Sequence, residues 1–312
     1  MQAGSALTRV LHRAMAKHKN PPRKAERRGQ KTKRTGTNSG PIPTPRKGSK
    51  KSLSDAATGP SPAAGGSPWL YGIHPVLAAL ANPRRIHQRL VVARETAESL
   101  QSRLIDAVEA GGKSGMSAEV LDKRELETLL PPAAVHQGVA LLSRLPVPPD
   151  LEDVLDESAD REHALLVILD QASDPHNIGA VLRSAAAFGA LALVLPDRHT
   201  PDVTGVLAKA ASGALEQVPM IRVTNLVRGM DRLKEAGFWC IGLDGQADTT
   251  LPQATLPART ALVLGAEGAG LRRLTREHCD LLVKVPIGDS MESLNLSNAA
   301  AVALYEYARK YN

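Results

Sequence analysis

Short apolar runs alternate with helical stretches throughout the second half of the sequence, and this pattern restricts the fold more than any other feature. Residues 164–169, 260–264 and 281–285 are such runs, and each ends at a glycine, a proline or a polar turn. Runs of this length between helices are typical of parallel strands buried on both faces of a sheet. We therefore predict a parallel α/β sheet whose loops after Leu264 and Val285 leave the same edge, where such sheets bind ligands.

A second, smaller α/β unit precedes this domain. The chain has 312 residues, which gives room for about two domains. Residues 69–145 alternate between helical and strand patterns but contain no glycine-rich phosphate loop and no acid–base cluster, so we expect this unit to bind rather than catalyse. Residues 146–163 are predicted to be a linker, stiff and proline-rich at its start and then a short acidic helix. The second domain then spans residues 164–312.

The first 68 residues form a basic arm. They contain 15 Lys and Arg against 2 Asp and Glu, a net charge of +13, so the rest of the chain carries −6 of the total of +7. This composition cannot bury enough apolar surface to fold, and we expect disorder. A basic arm on an acidic body favours a polyanionic partner, most commonly nucleic acid. A solubilising tail, a transit peptide in residues 1–17 and a translation start at Met15 remain open alternatives.

Other functional classes find little support in the sequence. No run of 18 or more apolar residues occurs, so we expect no membrane span. We separately expect a cytoplasmic location. The two cysteines, Cys240 and Cys279, lack metal-ligand spacing and are interpreted as reduced thiols, with no metal site.

Three segments of the second domain carry candidate functional residues. In residues 169–183 a strand turns through Asp174-Pro175 into a helix with Arg183 opposite its apolar face. Residues 265–270, GAEGAG, form a glycine loop that can approach a nucleotide. Because the glycine spacing differs from the dinucleotide-binding fingerprint, the hypothesis of a nicotinamide oxidoreductase has little support. Residues 290–298 place small polar side chains before the last helix. Taken alone, Asn177 and Asn295 would be ordinary helix caps and Arg183 a solvated side chain.

Taken in order, these segments resemble the three motifs of the SpoU/TrmH family. The matching patterns are D-P-x-N-x-G-A-x-x-R, L-G-x-E-G-x-G and V-P-I…S-L-N-x-S. Members of this family, in the SPOUT superfamily, are RNA ribose 2′-O-methyltransferases that use S-adenosylmethionine. The resemblance covers residues 69–312, because residues 71–75 and 135–138 look like the family's L30e-like substrate-binding domain. Residues 221–226 and 272–280 look most like the bacterial enzymes that modify a guanosine of 23S ribosomal RNA.

The resemblance implies a fold and a set of site residues. It implies a SPOUT α/β-knot domain with a C-terminal trefoil knot, and a homodimer formed through the knot region and the C-terminal helix. The implied cofactor-binding residues are Gly265, Gly268, Val285, Ile287, Leu294 and Leu296. The implied catalytic and substrate-site residues are Asn177, Arg183, Glu267, Ser293 and Asn295.

The same resemblance implies the reaction, which is methylation of a ribose 2′-hydroxyl, expected at a guanosine of 23S ribosomal RNA. Two alternatives are a transfer RNA guanosine 2′-O-methyltransferase and a non-catalytic RNA-binding or ribosome-assembly protein of the same fold. In the family the equivalent of Arg183 has been proposed as the general base. A guanidinium stays protonated near neutral pH and is therefore a poor base. We therefore expect Arg183 to bind the target phosphate and to stabilise negative charge developing on the 2′-oxygen.

The basic arm generates a first prediction. We expect deletion of residues 1–68 to weaken RNA binding and to flatten its salt dependence. Each phosphate contact that is lost reduces the magnitude of the negative slope of log K against log[salt] by about 0.7 to 0.9. The modified nucleotide should stay the same, since phosphate contacts carry no sequence information. Filter binding of the full-length and truncated proteins over a salt series measures the slope. An unchanged slope would show that the arm does not contact RNA.

Overall fold

The structure is a computed structural model that describes residues 69–113, 115–198, 200–288 and 290–311. The basic arm, for which disorder is predicted, lies outside the described residues, as does the possible transit peptide. The described chain forms two α/β units, and both contribute to the position of the predicted site residues.

The first unit is a four-stranded mixed sheet with helices packed on it. Strand order is β1-β4-β2-β3; β4 pairs antiparallel with β1 and β2, whereas β2 and β3 are parallel. The elements are β1 Trp69–Tyr71, α1 Ile73–Ala81, β2 Ile86–Ala93, α2 Ala97–Ala110, β3 Ala118–Leu121, α3 Lys123–Thr128 and β4 Val139–Arg144. The pattern of alternating helices and strands predicted this unit, although the three-residue strand β1 was too short to be anticipated.

One predicted boundary in this unit is wrong. The apolar pattern of residues 135–142 predicts that the last strand of this unit spans them, but β4 begins at Val139. The preceding residues cannot be extended, because Ala133 and Gln137 have φ angles of 61° and 53° and Gly138 has a φ of 80°. Left-handed backbone conformations at non-glycine positions are uncommon, and hydrophobicity patterns do not report them.

The second unit is a six-stranded sheet in which each strand pair is parallel. Strand order is β10-β8-β9-β5-β6-β7. The elements are α4 Leu151–Glu157, β5 Ala164–Leu169, α5 Pro175–Ala187, β6 Leu193–Pro196, α6 Gly205–Ala211, β7 Met220–Val223, α7 Leu226–Glu235, β8 Trp239–Leu243, β9 Arg259–Leu264, α8 Arg273–Glu277, β10 Leu281–Val283 and α9 Leu296–Tyr311. The predicted parallel sheet is confirmed, with the loops after β9 and β10 at one edge.

Burial of both sheet faces explains the uninterrupted apolar runs. Along β5, Leu165, Val167 and Leu169 pack into the core on one face of the sheet. The alternate residues Leu166 and Ile168 pack into a second core on the other face. A strand buried in this way has no solvent-facing positions, so polar residues first appear where it ends.

Helix α5, which carries two of the predicted site residues, is held by unusually close packing on α6. A Cβ atom at Gly179 would lie 2.6 Å from both the Cβ of Ala210 and the carbonyl oxygen of Leu207. Because any side chain at this position would force the helices apart, Gly179 fixes the distance between α5 and α6.

The chain around α6 also joins the two units. The guanidinium of Arg85 is fully buried, and its Nη2 lies 2.8 Å from Oε1 of Glu216, which follows α6 in a short 3-10 turn. Asn82 Nδ2 donates to the same carboxylate at 2.7 Å. On α6 itself, Lys209 Nζ donates to Gln137 Oε1 at 2.7 Å. The first unit is therefore docked on the second through one buried ion pair and further polar contacts around it.

The described residues contain no group of three or more His, Cys, Asp or Glu side chains that could hold a metal ion. Among the same residues, no helix has the length and hydropathy needed to cross a bilayer. Cys240 and Cys279 are free thiols, and burial raises the pKa of each to about 12, which keeps them protonated.

The Arg85–Glu216 pair generates a stability prediction. We expect Glu216→Ala to lower the free energy of unfolding by about 3–5 kcal/mol, because it leaves a fully buried guanidinium without its counter-charge. The matched control is Glu119→Ala, which removes the partner of Arg89 in an exposed pair whose contribution is at most about 1 kcal/mol. Urea unfolding measures both variants. Equal losses would contradict the larger contribution expected of the buried pair.

Candidate functional site

Three chain segments that lie far apart in sequence meet at the edge of the parallel sheet. Asn177 lies in the first turn of α5, Glu267 in the glycine loop after β9, and Asn295 immediately before α9. Asn177 Nδ2 donates to Glu267 Oε1 at 3.0 Å, and Asn295 Nδ2 donates to the same oxygen at 2.6 Å. The two amides are also joined directly, since Asn295 Nδ2 lies 3.1 Å from Asn177 Oδ1.

The carboxylate of Glu267 is the centre of this network. Besides the two amides, Oε1 accepts a hydrogen bond at 3.2 Å from the backbone N–H of Leu296, the first residue of α9. A carboxylate at a helix N-terminus is favoured by the unpaired N–H groups and by the helix dipole. Charge-assisted bonds of this kind are about twice as strong as neutral ones. Glu267 therefore ties α5, the glycine loop and α9 together.

Helix α5 presents Asn177 to the network because another residue caps it. The side chain of Asp174 accepts from the N–H of His176 at 2.9 Å, and Pro175 occupies the first turn. The interpretation of Asn177 as a helix cap is therefore wrong. Its side chain is buried and points toward Glu267 instead.

Asn295 does cap its helix and serves the site as well. Its Oδ1 accepts from the backbone N–H of Ser297 at 2.9 Å and from the Ser297 hydroxyl at 2.6 Å. The amide nitrogen is left to donate to Asn177 and Glu267. Asn295 therefore has both roles that the sequence suggested. Its side-chain oxygen caps α9, and its side-chain nitrogen belongs to the site network.

The glycine loop projects Glu267 from a tight, self-bonded turn. Ala266 N donates to Gly270 O at 3.0 Å, and Gly270 N donates back to Ala266 O at 2.9 Å. A Cβ atom at Gly265 would lie 2.0 Å from the carbonyl carbon of Gly270, so only glycine fits. Gly268, with a φ of 75°, makes the turn itself. The segment is thus a tight backbone loop between β9 and α8, and its role in approaching a nucleotide stays a prediction.

Arg183 and Ser293, the other two predicted residues, stay outside the network. Arg183 lies on α5 six residues after Asn177, about 9 Å farther along the helix axis. Its side chain is exposed, and within the described parts of the chain its guanidinium makes no hydrogen bond or ion pair. Ser293 is also exposed, two residues before Asn295. Both side chains are free to meet a ligand.

The predicted cofactor residues line the same edge but differ in burial. Leu296 is buried, Val285 and Leu294 are half-buried, and Ile287 and Gly268 are exposed. In the described residues, the backbone N–H groups of Val285 and Ile287 have no hydrogen-bond partner. Half-buried aliphatic side chains beside free backbone donors form a surface suited to an adenine ring and its polar edge.

Two residues at the base of the site did not appear among the predicted ones. Asp170, the first residue after β5, is fully buried and is paired with Arg272, at the exit of the glycine loop. The sequence signal for this pair was the position of Asp170 directly after a strand of six apolar residues. A carboxylate there is expected to be buried, and a buried carboxylate needs a partner. The sequence does not show which of the many arginines supplies it.

Comparison with known proteins agrees with this geometry. Residues 164–305 match the model of the SpoU rRNA Methylase family, and residues 69–146 match that of the RNA 2′-O ribose methyltransferase substrate-binding domain. The chain is 40% identical over 246 residues to a 23S rRNA (guanosine-2′-O-)-methyltransferase RlmB of Salmonella typhi, covering 78% of this chain and 99% of that protein. The chain belongs to the SpoU methylase family. The resemblance carried by the three motifs is confirmed.

Further relatives extend the comparison. An RlmB protein of Coxiella burnetii is 43% identical over 251 residues, covering 77% of this chain and 95% of the relative. Among solved structures, the SpoU methyltransferase AviRb of Streptomyces viridochromogenes in complex with AdoMet has a TM-score of 0.62 at 26% identity, covering 78% of this chain and 89% of that one. The SpoU α/β fold is therefore shared across both units.

Proposed function

We propose that this SpoU family protein methylates the 2′-hydroxyl of a guanosine ribose in 23S ribosomal RNA, with S-adenosylmethionine as methyl donor. The observation that carries the proposal is the Asn177–Glu267–Asn295 network, which gathers all three family motifs into one polar site. The specific substrate follows the curated relatives, of which the two described above are named 23S rRNA (guanosine-2′-O-)-methyltransferases.

The site residues fit S-adenosylmethionine. Gly265, Gly268, Val285, Ile287, Leu294 and Leu296 would hold it, through a loop that only glycine can close and through free backbone N–H groups beside aliphatic side chains. The cofactor supplies an electrophilic methyl group on a sulfonium. The solved complex of AviRb with AdoMet supports the same choice of cofactor.

The residues of the chain itself would orient and activate the ribose. Arg183 binds the phosphate of the target nucleotide and stabilises charge that develops on the 2′-oxygen, because its guanidinium is exposed and unpaired in the described structure. The Asn177–Glu267–Asn295 network holds α5 and the glycine loop in register, so that the ribose and the cofactor site face each other. Ser293, exposed next to the network, adds a hydrogen-bonding group on the substrate side.

We also propose that the C-terminal segment is threaded as a trefoil knot. After β10 the chain returns so that Asn295 meets the loop after β9, and α9 packs against α5. The backbone of Lys284, which follows β10, pairs with an earlier loop: its N–H donates to Thr249 O at 3.0 Å, and its carbonyl accepts from Leu251 N at 2.8 Å. This contact brings the end of β10 beside the loop that precedes β9, which the proposed threading requires.

A homodimer is proposed through this knot region and α9. One face of α9 is buried in the core through Ala303, Leu304 and Tyr307. The other face exposes 42% of Val302 and 57% of Tyr305. An aliphatic and an aromatic side chain exposed together on the last helix favour a protein contact there. With this assembly we propose the division into residues 1–68, 69–145, 146–163 and 164–312, and a cytoplasmic location, where ribosomal RNA would be available.

The proposed reaction is tested with the purified full-length protein, methyl-labelled S-adenosylmethionine, and 23S ribosomal RNA or transfer RNA. We expect label in one guanosine 2′-O-methyl group of 23S ribosomal RNA. Label confined to transfer RNA would favour the transfer RNA alternative. Cofactor binding in calorimetry without transfer to either RNA would favour a non-catalytic RNA-binding protein, and binding of NADPH instead would favour an oxidoreductase.

Arg183 generates a separate prediction about roles within the site. We expect Arg183→Ala to lower turnover by at least about 100-fold, as for loss of a group that stabilises developing charge, and to leave the affinity for S-adenosylmethionine nearly unchanged. Arg183→Lys keeps the charge but loses the planar fork, and should recover only part of the rate. Single-turnover methylation and calorimetry measure the two effects. Wild-type turnover in Arg183→Lys, or a large loss of cofactor affinity in Arg183→Ala, would contradict the role.

A further inference from the structure

Asp170 contacts both ends of the glycine loop, and we propose that Asp170 and Arg272 form a positioning pair for the methyl-transfer site. The loop, residues 265–270, must place Glu267 against Asn177 and Asn295. Neither member of the pair belongs to the family motif positions considered above. The inference rests on the proposed function, because it concerns how the residues of that site are held in place.

Both ends of the loop are anchored on this one residue. At the entrance, the backbone N–H of Asp170 donates to the carbonyl of Leu264, the last residue of β9, at 2.8 Å. At the exit, the backbone N–H of Arg272 donates to Asp170 Oδ2 at 3.1 Å. The guanidinium adds Nε and Nη2, each 2.6 Å from Oδ1. The loop therefore begins and ends on the residue that follows β5.

The burial of the carboxylate makes this contact strong. The side chain of Asp170 is fully buried, and within the described residues all hydrogen bonds to its carboxylate come from Arg272. A buried carboxylate must be paired, since water cannot replace a lost partner. Displacing the loop exit would leave this charge uncompensated, so the exit is held where it is.

The contacts of the pair and of the network form a closed ring. Asp170 and Asn177 lie on the segment that leads from the end of β5 into α5. Glu267 and Arg272 lie on the segment that leads from the end of β9 into α8. The Asn177–Glu267 hydrogen bond of 3.0 Å joins the segments at one end, and the Asp170–Arg272 pair joins them at the other. The loop between Glu267 and Arg272 is stiff, because Ala266 and Gly270 exchange two backbone hydrogen bonds. A shift of Arg272 is therefore transmitted to Glu267.

Arg272 could instead serve as an RNA ligand, since 46% of its side chain is exposed. The direction of its donors favours the positioning role, because Nε, Nη2 and the backbone N–H all point at Asp170. The two roles predict different kinetics. A positioning pair affects turnover and cofactor affinity, whereas an RNA ligand affects the KM for RNA alone.

The test compares Arg272→Ala, Arg272→Lys and the control Arg273→Ala in the full-length protein. Arg273 is the adjacent arginine, but it pairs with the exposed Glu277 one helical turn away. We expect Arg272→Ala to lower kcat roughly 10- to 100-fold, as for a displacement of about 1 Å at a reacting group, and to weaken S-adenosylmethionine binding. Arg272→Lys keeps a charge against Asp170, so the protein should fold and recover part of kcat. Arg273→Ala should match the wild type.

A double variant identifies the route of the effect. In a Glu267→Gln background, Arg272→Ala should lower kcat by a much smaller factor than in the wild type, because the residue it positions is already impaired. A kcat within twofold of wild type for Arg272→Ala, or a change in the KM for RNA alone, would overturn the positioning pair. If Glu267→Gln keeps full turnover while Arg272→Ala loses turnover and cofactor affinity, the pair stands and the proposed role of Glu267 is wrong.

Discussion

The carboxylate of Glu267 connects parts of the chain that the sheet alone would leave separate. One oxygen accepts from Asn177 on α5, from Asn295 before α9 and from the backbone of Leu296. The donors come from the first and third family motifs and Glu267 from the second, so the three motifs are joined by one charge. The position of Glu267 depends in turn on a buried residue, because the fully buried Asp170 anchors the loop that carries Glu267. Precise sites of this kind need support from residues that contact no ligand.

The support extends into the substrate-binding unit. Gly179 lets α5 pack closely on α6, and the chain around α6 docks on the first unit through the buried pair of Arg85 and Glu216. Residues that would contact RNA on the first unit are thereby held at a fixed distance from α5, which carries Asn177 and Arg183. A stiff connection favours a folded RNA that touches both units at once, because little orientational freedom remains to be lost on binding.

Much of this architecture could be predicted from the sequence, for identifiable reasons. The run from Ala164 to Leu169 predicts a buried parallel strand, and the spacing of three motifs indicates the family. The left-handed backbone at Gln137 could not be predicted, since side-chain patterns do not encode φ. The helix pattern alone does not distinguish Asn177 from a helix cap, and only the family resemblance marks it as a site residue; in the structure Asp174 caps the helix instead. The partner of Asp170 required coordinates, as several arginines were equally available.

The most direct measurement is a map of ribose 2′-O-methylation across ribosomal and transfer RNA in a strain that lacks this protein. The strain is complemented either with the wild type or with the Glu267→Gln variant. We expect one guanosine of 23S ribosomal RNA to lose its methyl group in the deletion strain. The wild type should restore this methyl group, and the variant should restore little of it. An unchanged map in the deletion strain, or full restoration by the variant, would contradict the proposed activity or the role of Glu267 in it.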